Sequence, residues 1–234
     1  MFSLQKNDLT NQLKALDHTV SPSDEPFPME NHFIHIISGA KGTGKSTLFL
    51  NILDTIMRKK YDNIFLVSPT ARTDMKFKKL VDELDQDDKV YEEFNEKNLE
   101  SIMKRIKDFN KGKKKPKNLI VFDDCISEMK GSFSKSLFNK MATTNRHMKT
   151  CIVVMTQKYN KLPTILRANA DLFTIFPTAN RSEFNAIMSD MNEDEDLFKQ
   201  IYQFATDGDR CFLHVSNLGG KMRYFKCFDR IVLN

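Results

Sequence analysis

A chain of 234 residues with 40% hydrophobic and 29% charged positions is long enough to bury one sizeable core, and this ordinary globular balance excludes disorder as the default. Its formal charge of +5 permits an anionic polymer as partner without requiring one. No apolar run approaches the eighteen or so residues of a membrane span, and MFSLQKNDLTNQ lacks the basic-then-apolar layout of a signal peptide, so a cytosol-like compartment is expected.

Residues 1–30 are polar and include SPSDEPFP, whose prolines neither continue a helix nor supply ladder donors; they read as an arm or linker ahead of one domain over 31–234. Short apolar runs then alternate with longer amphipathic segments, the pattern of an α/β fold with a mostly parallel central sheet flanked by helices. The strand candidates are HFIHIIS (32–38), NIFLVSP (63–69), NLIVFDD (118–124), CIVVMTQ (151–157) and LFTIFP (172–177). Lys45 to Lys60 reads as a helix, ending in cations that suit the negative end of its dipole. Ser132 to His147 and Ser182 to Met191 read as further helices. Asp74 to Lys117 is helical in tendency but dense in charge. CFLHVS (211–216) and RYFKCF (223–228) flank Asn217, Leu218, Gly219 and Gly220 and predict a C-terminal antiparallel hairpin. Cys125, Cys151, Cys211 and Cys227 form no CxxC pair, and three of them lie in strand-like runs, so buried reduced thiols are expected.

Residues 39–46, GAKGTGKS, fill every fixed place of the G-x-x-x-x-G-K-[ST] pattern between an apolar strand and a helical segment. Glycines there let backbone N–H groups turn onto phosphate oxygens, and the helix that follows presents its positive end. Gly39, Ala40, Lys41, Gly42, Thr43, Gly44, Lys45, Ser46 and Thr47 are therefore the expected ATP cradle. In it Lys45 reaches the β- and γ-phosphates and the Ser46 hydroxyl binds Mg2+. LIVFDD supplies the second strand that such a site needs, with Asp123 on the metal and Asp124 orienting or deprotonating the attacking water. CIVVMTQ ends in Thr156 and Gln157, at the strand end where open α/β sheets place ligands; Gln157 would hold the water or sense the γ-phosphate. Arg146, Arg167 and Arg181 are candidates for a cation opposite the γ-phosphate. The run Lys111, Lys113, Lys114, Lys115, Lys117 is a solvated loop, a nuclear-import signal or a nucleic-acid contact.

A GTP-specific NKxD motif and a compact arginine-rich lid are both missing. GAKGTGKST, LIVFDD, NRHMKTCIVVMTQKYNKLP (145–163) and LRANADLFTIF (166–176), in that order, resemble the FtsK/HerA superfamily, and within it the poxvirus-type genome-packaging ATPases of double-jelly-roll viruses and virophages. The resemblance covers Phe33 to Pro177. It implies a RecA-like (ASCE) P-loop fold and a homo-oligomeric ring that docks on capsid proteins and threads double-stranded DNA into a preformed capsid. The setting would be the host cytoplasm, a viral factory or the virion. It also maps the family's sensor to Gln157 and its arginine acting across subunits to Arg146, with Arg167 at another family position. Many relatives carry Glu where this chain has Asp124. A nucleotide-controlled binding or signalling module and a small-molecule kinase stay open as alternatives.

Overall fold

The computed structural model describes residues 2–5, 26–27, 32–112, 116–125, 132–218 and 222–233. In chain order the elements are β1 (Phe2–Gln5), β2 (Ile34–Ser38), α1 (Lys45–Ile52, prolonged by a wide turn over Leu53–Met57), β3 (Asn63–Val67), α2 (Lys78–Leu84), β4 (Val90–Tyr91), α3 (Glu96–Asn110), β5 (Asn118–Asp123), α4 (Ser132–Thr144), β6 (Thr150–Thr156), α5 (Thr164–Ala168), β7 (Leu172–Ile175), α6 (Arg181–Met191), α7 (Glu195–Thr206), β8 (Leu213–Ser216), β9 (Arg223–Lys226) and β10 (Asp229–Leu233). Lys113 to Lys115 and the turn glycines Gly219 and Gly220 lie outside the described residues.

These strands form one sheet in the order β1, β10, β9, β8, β7, β2, β6, β5, β3, β4. Neighbours from β7 to β4 are parallel, and those from β7 to β1 are antiparallel. The parallel strands are apolar throughout because helices cover both faces. On β5, Leu119 and Val121 join Phe49, Ile52 and Leu80 on one side, while Ile120 and Phe122 join Leu99, Ile102 and Phe138 on the other.

The charge-dense stretch after Asp74 divides into α2, β4 and α3. Its charges line the solvent face of α3, whose Leu99, Ile102, Met103 and Ile106 repeat at i, i+3, i+4 and i+7. Asn95 caps that helix, accepting the Asn98 N–H at 2.9 Å. The helix expected to run to His147 stops at Thr144, because residues 145–149 turn the chain back into β6. The C-terminal hairpin forms and is extended: Cys227 takes a left-handed φ of +54° and turns β9 directly into β10, without the glycine that marks such a turn in a sequence. Within residues 1–30, β1 then pairs with β10 at the sheet margin. Cys125 and Cys151 are buried as expected, whereas Cys211 and Cys227 are half-buried neighbours near the surface turns; none of the four forms a disulfide. Among the described residues no helix is long and apolar enough to cross a membrane.

Pro26 and Phe27 are anchored through a hydrogen-bond relay across β2, β7 and β8. The Pro26 carbonyl only accepts, so His214 carries its proton on Nε2 and donates to it at 2.9 Å. His214 Nδ1 then accepts from Thr174 Oγ1 at 2.9 Å, and Thr174 accepts from His35 Nε2 at 2.8 Å. Phe27 covers the relay, its ring 4.9 Å from His214 and 5.7 Å from His35. Burial pulls His214 down to about 4, against the opposing pull of the Pro26 carbonyl, and burial, followed by the repulsion that a second proton on the His35–His214 pair would meet, holds His35 well below its ordinary range.

Both rings are neutral in the fold, while an unfolded histidine titrates near 6.5. The unfolded state therefore binds the extra proton as pH falls from about 6.5 to about 4, and the stability present above that window is lost through it. Between pH 7.5 and pH 5, unfolding free energy from urea titrations should fall about 2 kcal/mol further for the native sequence than for His214→Gln. Equal falls would remove this account of His214.

Candidate nucleotide site

The register of three adjacent parallel strands builds the site. Ser38 of β2 lies opposite Thr156 of β6, and Met155 of β6 lies opposite Asp123 of β5. Gly39, Gln157 and Asp124 thus leave the same edge of the sheet side by side. The Gly39 N–H donates to the Thr156 carbonyl at 3.1 Å and the Asp124 N–H to the Met155 carbonyl at 3.2 Å, fixing the loops to one another. The strand order, with β6 between the loop strand and the acidic strand, was not legible in the motifs.

Gly42 and Gly44 have φ of +83° and +102°, the left-handed region that side chains disfavour. Gly39 is required for a different reason: a Cβ there would fall 2.7 Å from Cβ of Phe176, whose own N–H donates to the Ser38 carbonyl. The helix starts at once, with Leu48 N–H donating to the Gly44 carbonyl at 2.8 Å, so the free N–H groups of the first turn of α1 point at the loop. Lys45 is only 7% exposed and donates from Nζ to the carbonyls of Gly39 (2.7 Å) and Ala40 (2.9 Å). Thr43 Oγ1 also donates to the Ala40 carbonyl, Ser46 is half-buried, and Ala40, Lys41 and Thr47 are exposed.

Asp123 is 5% exposed, and Ser68 Oγ, just past β3, donates to its Oδ2 at 3.3 Å. Burial, then the adjacent Asp124 charge, pushes the Asp123 carboxyl up to about 6; Asp74 pushes the same way, while Ser68 and Lys45 pull it down. Asp124 takes φ of +52° just beyond the strand, and Gln157 Nε2 donates to its Oδ2. Burial lowers the Lys45 ammonium, Asp124 and Asp123 draw it back up, and Lys76 adds to the lowering. The residues present fit a magnesium ion: Ser46 and Asp123 offer hard oxygen donors, and two adjacent carboxylates, one of them buried, form a negative site that a divalent cation neutralises.

Ser68, Asp74 and Lys76 escape the sequence motifs, although all three follow β3 on the loop edge. The polar step after NIFLV, at the carboxyl end of a parallel strand, is the signal that finds Ser68. Two of the three candidate arginines are not brought to the loop. Arg146, expected to act across subunits, precedes β6 and pairs with Asp171 at the head of β7 (2.8 Å), on the edge of the sheet opposite its own loop. Arg167 is largely buried, pairs with Asp190 and lies over the Tyr159 ring, tying α5 to α6. Arg181 is exposed at the start of α6, on the nucleotide edge, and makes no ion pair among the described residues.

A sheet of this order with this loop and acidic strand defines a P-loop nucleoside triphosphatase fold. Residues 27–211 match the model of the poxvirus A32 protein family, and the chain belongs to that family. Over 65 residues it is 35% identical to the protein titled uncharacterized protein B354L of African swine fever virus (isolate Tick/Malawi/Lil 20-1/1983). That match takes in 28% of this chain and 18% of the relative, so the chain spans under a fifth of that relative's length. Among solved structures, the DNA-packaging ATPase B204 of Sulfolobus turreted icosahedral virus superposes with a TM-score of 0.62 at 20% identity, over 83% of this chain and 97% of that one. The genome packaging NTPase B204 of Sulfolobus turreted icosahedral virus 2, in complex with AMPPCP, gives 0.60 at 18% identity, over 82% and 96%. At these identities the likeness speaks for the fold.

Proposed function

We propose that this chain hydrolyses ATP with Mg2+ and uses the energy to drive double-stranded DNA into a preformed viral capsid, working as a homo-oligomeric ring docked on capsid proteins. The observation that carries the ATPase reading is the convergence of Gly39 to Thr47, Asp123 to Asp124 and Gln157 on one sheet edge. Membership of the A32 family, and the fold shared with proteins named as DNA-packaging ATPases, support the coupling to DNA.

In this reading the loop N–H groups and Lys45 hold the triphosphate, exchanging the loop carbonyls for phosphate oxygens. Ser46 and Asp123 would hold the magnesium ion, which when bound neutralises charge on the β- and γ-phosphates. Asp124 takes the proton of the attacking water, and Gln157, already on the same carboxylate, orients that water and couples it to β6. Arg181 is the cation we assign to a neighbouring subunit's γ-phosphate, because it is exposed on the nucleotide edge whereas Arg146 and Arg167 are paired elsewhere.

The test is ATP turnover with and without double-stranded DNA, on material whose assembly mass is measured. DNA-stimulated turnover by an oligomer is expected. An oligomer indifferent to any DNA would remove the motor, and slow turnover with a nucleotide-dependent protein partner would put a switch in its place.

A further inference from the structure

We propose that the sheet edge opposite the nucleotide site carries a binding surface for the phosphate backbone of a DNA duplex, centred on a pocket at Asn145, Arg146 and Asp171 and continued by Lys149 and Lys117. The proposal rests on the motor reading and locates a DNA contact for it.

The pocket, roughly 420 Å³, lies between the turn before β6, the head of β7 and Asn217 just past β8, with Thr143 and Asn169 also on its wall. Two of its groups offer free donors. Asn145 is 4% exposed and its side-chain nitrogen has no hydrogen-bond partner, which costs stability unless a ligand accepts from it. Arg146 uses Nη2 on Asp171, yet its side chain is 69% exposed and keeps the rest of its five-donor fork. Both oxygens of the one carboxylate in the pocket are engaged: one Asp171 oxygen takes that Arg146 bond and the other accepts the Ile34 N–H at 3.0 Å. A guanidinium beside a buried amide donor suits a phosphate oxygen better than a cation or an apolar group.

The cations next to the pocket are tied to it through the backbone. Lys149 N–H donates to the Arg146 carbonyl at 3.1 Å, and the Asn118 N–H donates to the Lys149 carbonyl at 3.0 Å, setting Lys117 one strand away. Lys149 has φ of +50°, a conformation that glycine or asparagine would hold with less strain. Both lysine charges converge on half-buried His32, where they add to burial in lowering its pKa. Among the described residues, acids near this edge include Asp171 and Asp108, paired with Arg146 and Lys111, and Asp62, whose carboxylate accepts the Lys117 N–H at 2.8 Å. The edge lies about 17 Å from Asp123, the length of β5, so it can be altered without touching the chemistry.

Binding of a fluorescein-labelled DNA duplex, followed by anisotropy over a salt series, tests the surface in Lys117→Gln/Lys149→Gly and in Asn145→Ala. Lys149→Gly relaxes the left-handed turn, so its effect is not a folding defect. The double variant should bind roughly tenfold or more weakly, with the slope of log affinity against log salt smaller by about 2, and Asn145→Ala should weaken binding in the same direction. Turnover without DNA should be unchanged. If the native protein binds duplex and the variants match it in affinity and slope, the inference falls and the motor reading stands. A native protein that neither binds duplex nor responds to it sinks both. Variants that lose only inorganic phosphate, or only an acidic peptide, would make this a different site and overturn the inference.

Discussion

Lys45→Ala should reduce ATP turnover by at least about 100-fold and weaken nucleotide binding, measured by steady-state hydrolysis and by titration with a fluorescent ATP analogue. Lys45 is buried at the mouth of the loop, with Nζ on two loop carbonyls, whereas Lys41, the other cation of the loop, is exposed. Those carbonyls also show why Lys45→Arg is no conservative repair: a planar five-donor fork does not fit a position built for a compact ammonium. Native-like turnover in Lys45→Ala would refute the cradle. Loss of turnover together with loss of the folded state would shift the blame to packing, which a thermal unfolding scan on the same sample distinguishes.

Asp124→Asn should keep ATP binding while slowing hydrolysis by about 10²–10⁴, the range ascribed to a general base. The substitution is unusually clean. Asn tolerates the left-handed backbone that Asp124 adopts, and its amide can still meet Gln157, so the fold and the loop stay as they are. Asp124→Glu should be the poorer repair, because Glu must enter a left-handed position and lengthens the reach to a Gln157 already in contact. Asp123→Asn should instead raise the magnesium concentration needed for half-maximal nucleotide binding. Were Asp124→Asn to raise that requirement and leave the rate per bound nucleotide intact, the two carboxylates would exchange roles.

The residues of the cradle were legible because both the motif and its setting are local: a strand, a glycine turn and a helix start within fourteen residues, Phe33 to Ser46. The acidic strand end was legible for the same reason. Ser68 was not, since only the pairing of β3 with β5 carries a serine 55 residues away to the Asp123 carboxylate. The positions of the arginines were equally hidden. Arg146 and Arg167 stand beside the site motifs in sequence, but a strand has two ends, and the turn before β6 places Arg146 at the end away from its own loop. α2, β4 and α3 were obscured because charge dominates their solvent faces, and β10 because its turn contains no glycine or asparagine.

Hydrophobic periodicity and a glycine-rich loop motif, both short-range patterns, made legible the α/β class, the loop between β2 and α1 and the strand that ends in two aspartates. Which strand ends meet is a long-range matter, decided when β6 inserts between β2 and β5 and both faces of the sheet are buried together. That packing brings Gln157 to Asp124, leaves Arg146 at the far edge, and draws Pro26 onto a histidine 188 positions away. Side chains so distant along the chain share no local signal, because their proximity is a property of the assembled core.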